Sequence, residues 1–176
     1  MKLIILFCFF STYLIGQEDF FKKEAASLAQ NLKLSLMKNV SEKVAQEGTE
    51  KAIEFCHSNV KDIAKSSAKD YVSKYDFGRT SHKLRNKKNQ PEAWMREYLQ
   101  KFKSSRPGEL AAVIHTLKDG KRVYLEPIYV QPLCLNCHGK DLSASVKERL
   151  IKLYPDDEAV NFNLGDFRGF IWVKEK

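Results

Sequence analysis

The 176-residue sequence is poor in the residues that interrupt a chain, with 8 glycines and 5 prolines, and it contains no low-complexity segment and no internal repeat. That composition excludes a linker-like or solenoid chain. It has no long hydrophobic run either. The longest, residues 3–15, is well short of the ~20 residues a membrane-spanning helix needs. Acidic side chains are in deficit, 22 against 30 Lys and Arg, for a formal charge of +8. No nucleic-acid-binding motif accompanies this charge, so the basic surface points to acidic partners or anionic membranes and not to nucleic acid. The length suffices for one domain with an apolar core but not for two.

What is present begins with a leader. Met1-Lys2, the apolar residues 3–15, the small Gly16 and the polar Gln17-Glu18-Asp19 follow the order of a secretory signal peptide. The expected organisation is therefore a signal peptide over residues 1–16 and a single domain over residues 17–176, exported to the periplasm or beyond. The alternative is an uncleaved membrane anchor. Cys8 lies inside the apolar run and not behind a cleavage box, which argues against a lipoprotein, and cleavage near Gly16 removes it. Of the 4 cysteines, Cys56, Cys134 and Cys137 then remain. An odd number in an oxidising compartment requires an explanation.

Apolar residues Phe21, Ala25, Leu28, Leu32, Leu36, Val40 and Val44 recur at steps of three and four, which predicts an amphipathic helix. Gly48 interrupts it, and Thr49 is placed to cap a second helix with Ile53, Cys56, Val60, Ile63 and Ala64 on one stripe, so that Cys56 faces the core. A basic loop over residues 83–89 leads to a third helix opened by Pro91-Glu92, carrying Trp94, Tyr98, Leu99 and Phe102 and ending before Arg106-Pro107-Gly108. Residues 110–117 and 122–130 are rich in strand formers, and the Asp119-Gly120 pair between them predicts a hairpin. Residues 166–173 read as a last strand and 77–84 as a further one. The expected class is α+β, helices first and then an antiparallel sheet.

The chemistry concentrates in Cys134-Leu135-Asn136-Cys137-His138, a Cys-x-x-Cys-His motif. If Pro132 opens a helical turn, Cys134, Cys137 and His138 stand at i, i+3 and i+4 and share a face. Two thiols then reach the two vinyl groups of a porphyrin while the imidazole meets the iron, which is the attachment mode of a c-type haem. Two other readings compete. A Cys134–Cys137 disulfide leaves His138 without a role and lacks the strand-then-CxxC-helix order of a thioredoxin. A zinc site completed by Cys56 needs the adjacent Cys137 and His138 on one tetrahedral ion, an awkward geometry.

A haem iron has a sixth position, whose occupant decides between electron transfer, gas binding and catalysis. The candidates are Cys56, His57, His82, His115, Met37 and Met95. Met95 beside Trp94 reads as a packing residue, His82 as a solvated one, His115 as a strand residue, and His57 lies at the edge of its helix stripe. Cys56 is the leftover cysteine on a core-facing stripe. It reads equally as an iron ligand or as a small buried hydrophobe.

Several separated segments together resemble a bacterial family of c-type haem domains with a PAS-like fold. They are Ala52-Ile53-Glu54-Phe55-Cys56, Gly78-Arg79-Thr80-Ser81-His82-Lys83-Leu84-Arg85-Asn86, Pro91-Glu92-Ala93-Trp94, Pro127-Ile128-Tyr129-Val130-Gln131-Pro132-Leu133-Cys134, and Gly165-Asp166-Phe167-Arg168-Gly169. Members also occur as extracytoplasmic sensor domains of histidine kinases, and in a cyanobacterial member the iron is held by the motif histidine and a cysteine from an early helix. The resemblance implies that His138 and Cys56 are the axial pair of one covalently attached haem, in a PAS-like antiparallel sheet with flanking helices. Arg79, Lys83 and Arg85 fall in the matching basic segment, with two roles open to them: contact with haem propionates, Arg79 and Arg85 above all, or a solvated loop. A stand-alone, low-potential electron carrier with a redox partner protein is the expected function, and a redox or small-gas (NO/CO) sensor is the alternative. Closed ligation argues against an enzyme.

Overall fold

The computed structural model describes residues 5–176, with side chains from residue 20 onward. The expected signal peptide over residues 1–16, with Cys8, lies outside the described side chains. Among the described residues no helix is long and apolar enough to cross a membrane. The chain forms α1 (Ile5–Glu47), α2 (Thr49–Ser67), β1 (Tyr75–Thr80), α3 (Met95–Ser104), β2 (Val113–Thr116), β3 (Arg122–Tyr129), α4 (Leu135–His138), α5 (Ala144–Leu153) and β4 (Phe167–Glu175), with one-turn 3-10 helices at Lys87–Asn89 and Pro132–Cys134. The class is α+β, as expected, although the helices do not all come first: β1 precedes α3, and α4 and α5 precede β4.

The four strands form one antiparallel sheet in the order β1-β4-β3-β2. Its two faces follow from the period of two along each strand. On β3, Tyr124 points to one face while Val123 and Leu125 point to the other. The stripe Phe21, Ala25, Leu28, Ala29 and Leu32 lays α1 on the first face, against Tyr75, Tyr124, Ile171 and Val173. Met95, Leu99 and Phe102 lay α3 on the second, against Val123, Leu125, Phe167 and Phe170. Each of these larger side chains contributes about 1.5–3 kcal/mol by leaving water. On β4 the alternation slips between Phe167 and Phe170, because the register shifts opposite Ile128 and Tyr129. That bulge lets both phenylalanines reach the α3 side.

Several elements differ from the sequence expectation: β1 covers Tyr75–Thr80 where residues 77–84 are expected, and β2 only Val113–Thr116 of residues 110–117. Gly48 itself, at φ +84°, occupies the N-cap of α2, with Thr49 as the first helical residue and no side-chain cap. Its N–H still bonds Val44 O at 3.0 Å while its carbonyl accepts from Ala52 N–H at 3.1 Å, so the glycine is shared by both helices. Helix α3 starts at Met95 and not at Pro91-Glu92, because Trp94 Nε1–H donates to the Glu92 carboxylate at 2.9 Å and the preceding residues make a turn. Helix α5 has no counterpart in the expected elements, although Ser143 caps it by accepting from Val146 N–H at 3.2 Å. The predicted hairpin forms, with Gly120 at φ +86° and Leu117 N–H bonded to Lys121 O at 2.8 Å.

Candidate cofactor-attachment site

The exit of β3 is tied to the approach of β4 by Val130 N–H to Asp166 O and Gly165 N–H to Val130 O, each 2.9 Å. Pro132 then opens the 3-10 turn that runs directly into α4, as its preset φ favours. Cys134, Cys137 and His138 therefore lie on consecutive turns, as the spacing predicts. Gly139 ends α4. A Cβ there would sit 2.6 Å from the Leu135 carbonyl oxygen, so only glycine fits.

A helix this short leaves its last carbonyls without intrahelical partners. They are taken up by the strap over residues 157–162 that follows α5. Phe162 N–H donates to His138 O at 3.0 Å and Asn161 N–H to Gly139 O at 3.1 Å. Within the same strap the Ala159 carbonyl lies 2.6 Å from His138 Nδ1. A carbonyl only accepts, so Nδ1 carries the proton, and Nε2 is left with its lone pair. Burial holds the imidazole well below its usual pKa, with Arg85 and Arg168 adding to the effect, so His138 is neutral.

Arg85 fastens the strap to the helix. Its Nε–H bonds Asp157 Oδ2 at 2.9 Å, and Nη2 donates to Cys137 O at 2.6 Å and to Ala159 O at 3.3 Å. The pair is nearly enclosed, with side-chain exposures of 14% for Arg85 and 7% for Asp157. Asp157 Oδ1 also accepts from Ala159 N–H at 2.8 Å. Arg85 is thus no solvated loop residue. Lys83 reaches back to Val160 O at 3.1 Å, with its ammonium 4.7 Å from the Phe162 ring. Arg168 donates to Ser81 Oγ and Lys83 O, and burial, with Arg85 and Arg79 nearby, lowers its pKa to about 10.

Cys56 comes to the same region from α2. It stands one turn beyond Ile53, which packs with Val146, Leu150 and Cys137. Burial pushes the Cys56 thiol up, partly offset by Arg79 and Arg85, and burial pushes Cys137 up to about 11. Arg79 on β1 is accessible to solvent, yet protein closes around it and lowers its pKa, while Cys56 and Tyr154 act in the opposite sense. Cys56, Cys134 and Cys137 are all free thiols.

The other sixth-ligand candidates lie elsewhere. Met95 is packed in the α3 core, 2% exposed. His115 stacks on Trp94 at 4.3 Å and bonds Tyr98. His57 is exposed and meets Tyr154 edge-on. His82 lies flat against Phe167 and edge-on to Phe162, a packed position and not the solvated one expected for it. Met37 is half-buried on α1. A surface recess of about 480 Å³ lined by Lys74, Tyr75, Gly120 and Glu175 opens at the opposite end of the sheet and shares no residue with this site. Asp157, Ala159 and Arg168 escaped the site prediction. Only Arg168 carried a signal, as part of the Gly165–Gly169 segment.

Fold and site together define an α+β domain of PAS-like architecture with a Cys-x-x-Cys-His turn hung from the end of its sheet. The chain belongs to the Tll0287-like family, whose pattern matches residues 17–175. It is similar to a solved structure, that of the cyanobacterial heme-protein Tll0287, at 27% sequence identity and a TM-score of 0.61, over 84% of this chain and 89% of that one. No curated protein matches the chain.

Proposed function

We propose that this chain is an exported c-type haem protein that acts in electron transfer. Cys134 and Cys137 would hold one haem covalently, and His138 and Cys56 would ligate its iron. The observation that carries the reading is the setting of His138 beside two free thiols, Cys134 at the end of the 3-10 turn and Cys137 on α4, with Nδ1 committed to the Ala159 carbonyl at 2.6 Å and Nε2 left for a metal.

The residues fit such a group. The motif thiols are unpaired, and among the described residues no three His, Cys, Asp or Glu side chains converge on a bare metal ion, which disfavours the zinc alternative. When bound, a haem supplies a one-electron ferric/ferrous couple. The protein's own part is to orient the His138 ring, to bury Cys137 and Cys56 in part, and to hold cationic Arg79 where it favours the Cys56 thiolate. A thiolate donor favours the ferric state and hence a low potential. Two side-chain ligands would suit a carrier and not an enzyme, and a formal charge of +8, or 8 − 1 = +7 without Lys2 of the leader, suits an acidic redox partner. The PAS-like fold supports a second reading, a redox or NO/CO sensor that signals to a partner protein.

The test is to express the full chain with haem-maturation machinery and record its mass, absorption and electron paramagnetic resonance spectra, beside Cys56→Ser. Covalent haem and a ferric spectrum altered by the substitution are expected. Absence of covalent haem overturns the reading, and an unchanged ferric spectrum removes Cys56 from the iron. Exposure of the reduced protein to carbon monoxide separates the two functions, since a carrier leaves the gas unbound.

A further inference from the structure

The carbonyl oxygen of Ala159 receives two donors, His138 Nδ1–H at 2.6 Å and Arg85 Nη2–H at 3.3 Å. The same guanidinium nitrogen bonds Cys137 O at 2.6 Å, and Nε pairs with Asp157, whose other oxygen takes the Ala159 N–H. His138, Ala159, Asp157, Arg85 and Cys137 therefore form a closed ring of hydrogen bonds behind the motif histidine. We propose that Arg85 is a positioning residue that sets how strongly His138 binds iron, by competing for the carbonyl that polarises its Nδ1–H bond. This rests on the haem reading above and goes beyond it by assigning the control of ligand strength.

The physical argument concerns electron density. A carbonyl that accepts strongly from Nδ1–H draws the proton away from the ring and makes Nε2 the better donor, which favours the ferric state. A cation hydrogen-bonded to that carbonyl oxygen draws on the same lone-pair density and weakens its hold on the imidazole proton. The enclosure of the Arg85–Asp157 pair keeps solvent from screening the effect. Arg85 therefore raises the potential above the value that His138 and Ala159 alone would set. Its second bond, to the Cys137 carbonyl at the C-terminal end of α4, holds the helix while it does so.

Net charge provides an alternative explanation, because removing any cation near iron also favours the ferric form. The experiment must separate the two. Arg85→Gln and the double variant Arg85→Gln/Asp157→Asn are compared with wild type as holoproteins, by reduction potential and ferric resonance spectrum. The double variant removes one charge of each sign and leaves the net charge unchanged. The expected result is a shift of the ferric/ferrous balance toward ferric by about tenfold, which is about 59 mV, in both variants, with the same change in resonance anisotropy. A double variant that returns to the wild-type potential and spectrum overturns the proposal in favour of charge alone, and so does a single variant indistinguishable from wild type. Both outcomes presuppose covalent haem in the wild-type protein. Its absence there is the separate failure of the haem reading.

Discussion

The imidazole of His138 donates to the carbonyl of Ala159, 21 residues away along the chain, at 2.6 Å. This one bond joins a four-residue helix too short to stand alone to a strap made after α5, and it orients the ring through the fold. Asp157 and Arg85 close the same arrangement from the other side, which makes the strap a structural element in its own right.

Asp157 is the first place to test that. Asp157→Ala strips Arg85 of its counter-charge in an enclosed site and removes the acceptor of the Ala159 N–H. Breaking one side of a buried pair costs about 3–5 kcal/mol. Chemical denaturation should show a loss in that range for Asp157→Ala and a smaller one for Asp157→Asn, which keeps an acceptor for Ala159. A loss below about 1 kcal/mol in both would contradict this account.

Gly169 should tolerate no side chain. Its φ is +142°, and a Cβ would lie 2.1 Å from the Thr80 carbonyl oxygen, where β1 meets β4. Gly120, at φ +86°, has nothing within 4 Å of the same position. Gly120→Ala should cost only the left-handed strain, about 1–2 kcal/mol, whereas Gly169→Ala adds a backbone clash and should cost about 4 kcal/mol or prevent folding. Thermal unfolding of the two variants side by side decides the ordering.

His82 makes stability depend on pH in a defined window. Burial between Phe162 and Phe167, helped by Lys103, Arg168 and Lys83, lowers its pKa to about 4. The unfolded chain takes up the proton near pH 6.5, so stability is full above that value and falls as pH drops from 6.5 toward 4. Allowing for partial exposure, the loss amounts to about 2 kcal/mol. Urea denaturation of His82→Gln between pH 7 and 4.5 should be flatter than that of wild type, and equal slopes would exclude the effect.

Glu24 acts lower on the pH scale. Its carboxylate accepts from Lys74 at 2.7 Å and Tyr75 at 2.6 Å, and these bonds, Lys74 first, lower its pKa. The stabilisation is present above the unfolded value of about 4.5 and disappears as pH falls through the lower folded value. Because Lys74 is half exposed, Glu24→Gln should cost less than about 1 kcal/mol at pH 7. The substitution should remove part of the acid-unfolding transition below pH 4.5, which circular dichroism during acid titration can follow.

Much of the fold was legible because it is written in periods. The stripe from Phe21 to Leu36, the break at Gly48, the Asp119-Gly120 hairpin and the alternating 122–130 and 166–173 segments all correspond to observed elements. Helix α5 is not legible in the sequence, even though Ser143, Val146 and Leu150 carry a cap and a four-residue step. The charged residues among them obscured so short a pattern. Pro91-Glu92 reads as a helix opening, whereas the bonds from Met95 N–H to Glu92 O and from Arg96 N–H to Ala93 O make a turn ahead of α3.

Within the site, the sequence by itself determined the local chemistry. Cys134, Cys137 and His138 are close in the chain, so helical geometry alone brings them to adjacent turns, and the stripe on α2 turned Cys56 inward. Tertiary structure decided everything that depends on distant partners. Whether His138 offers Nδ1 or Nε2, whether Arg85 is solvated or locked to Asp157, and which carbonyls close α4 all rest on residues 157–162. Their side chains and backbone carry no periodic signal, and their role exists only because the strap folds back against the helix, where an unpaired carbonyl or imidazole proton would be costly to bury.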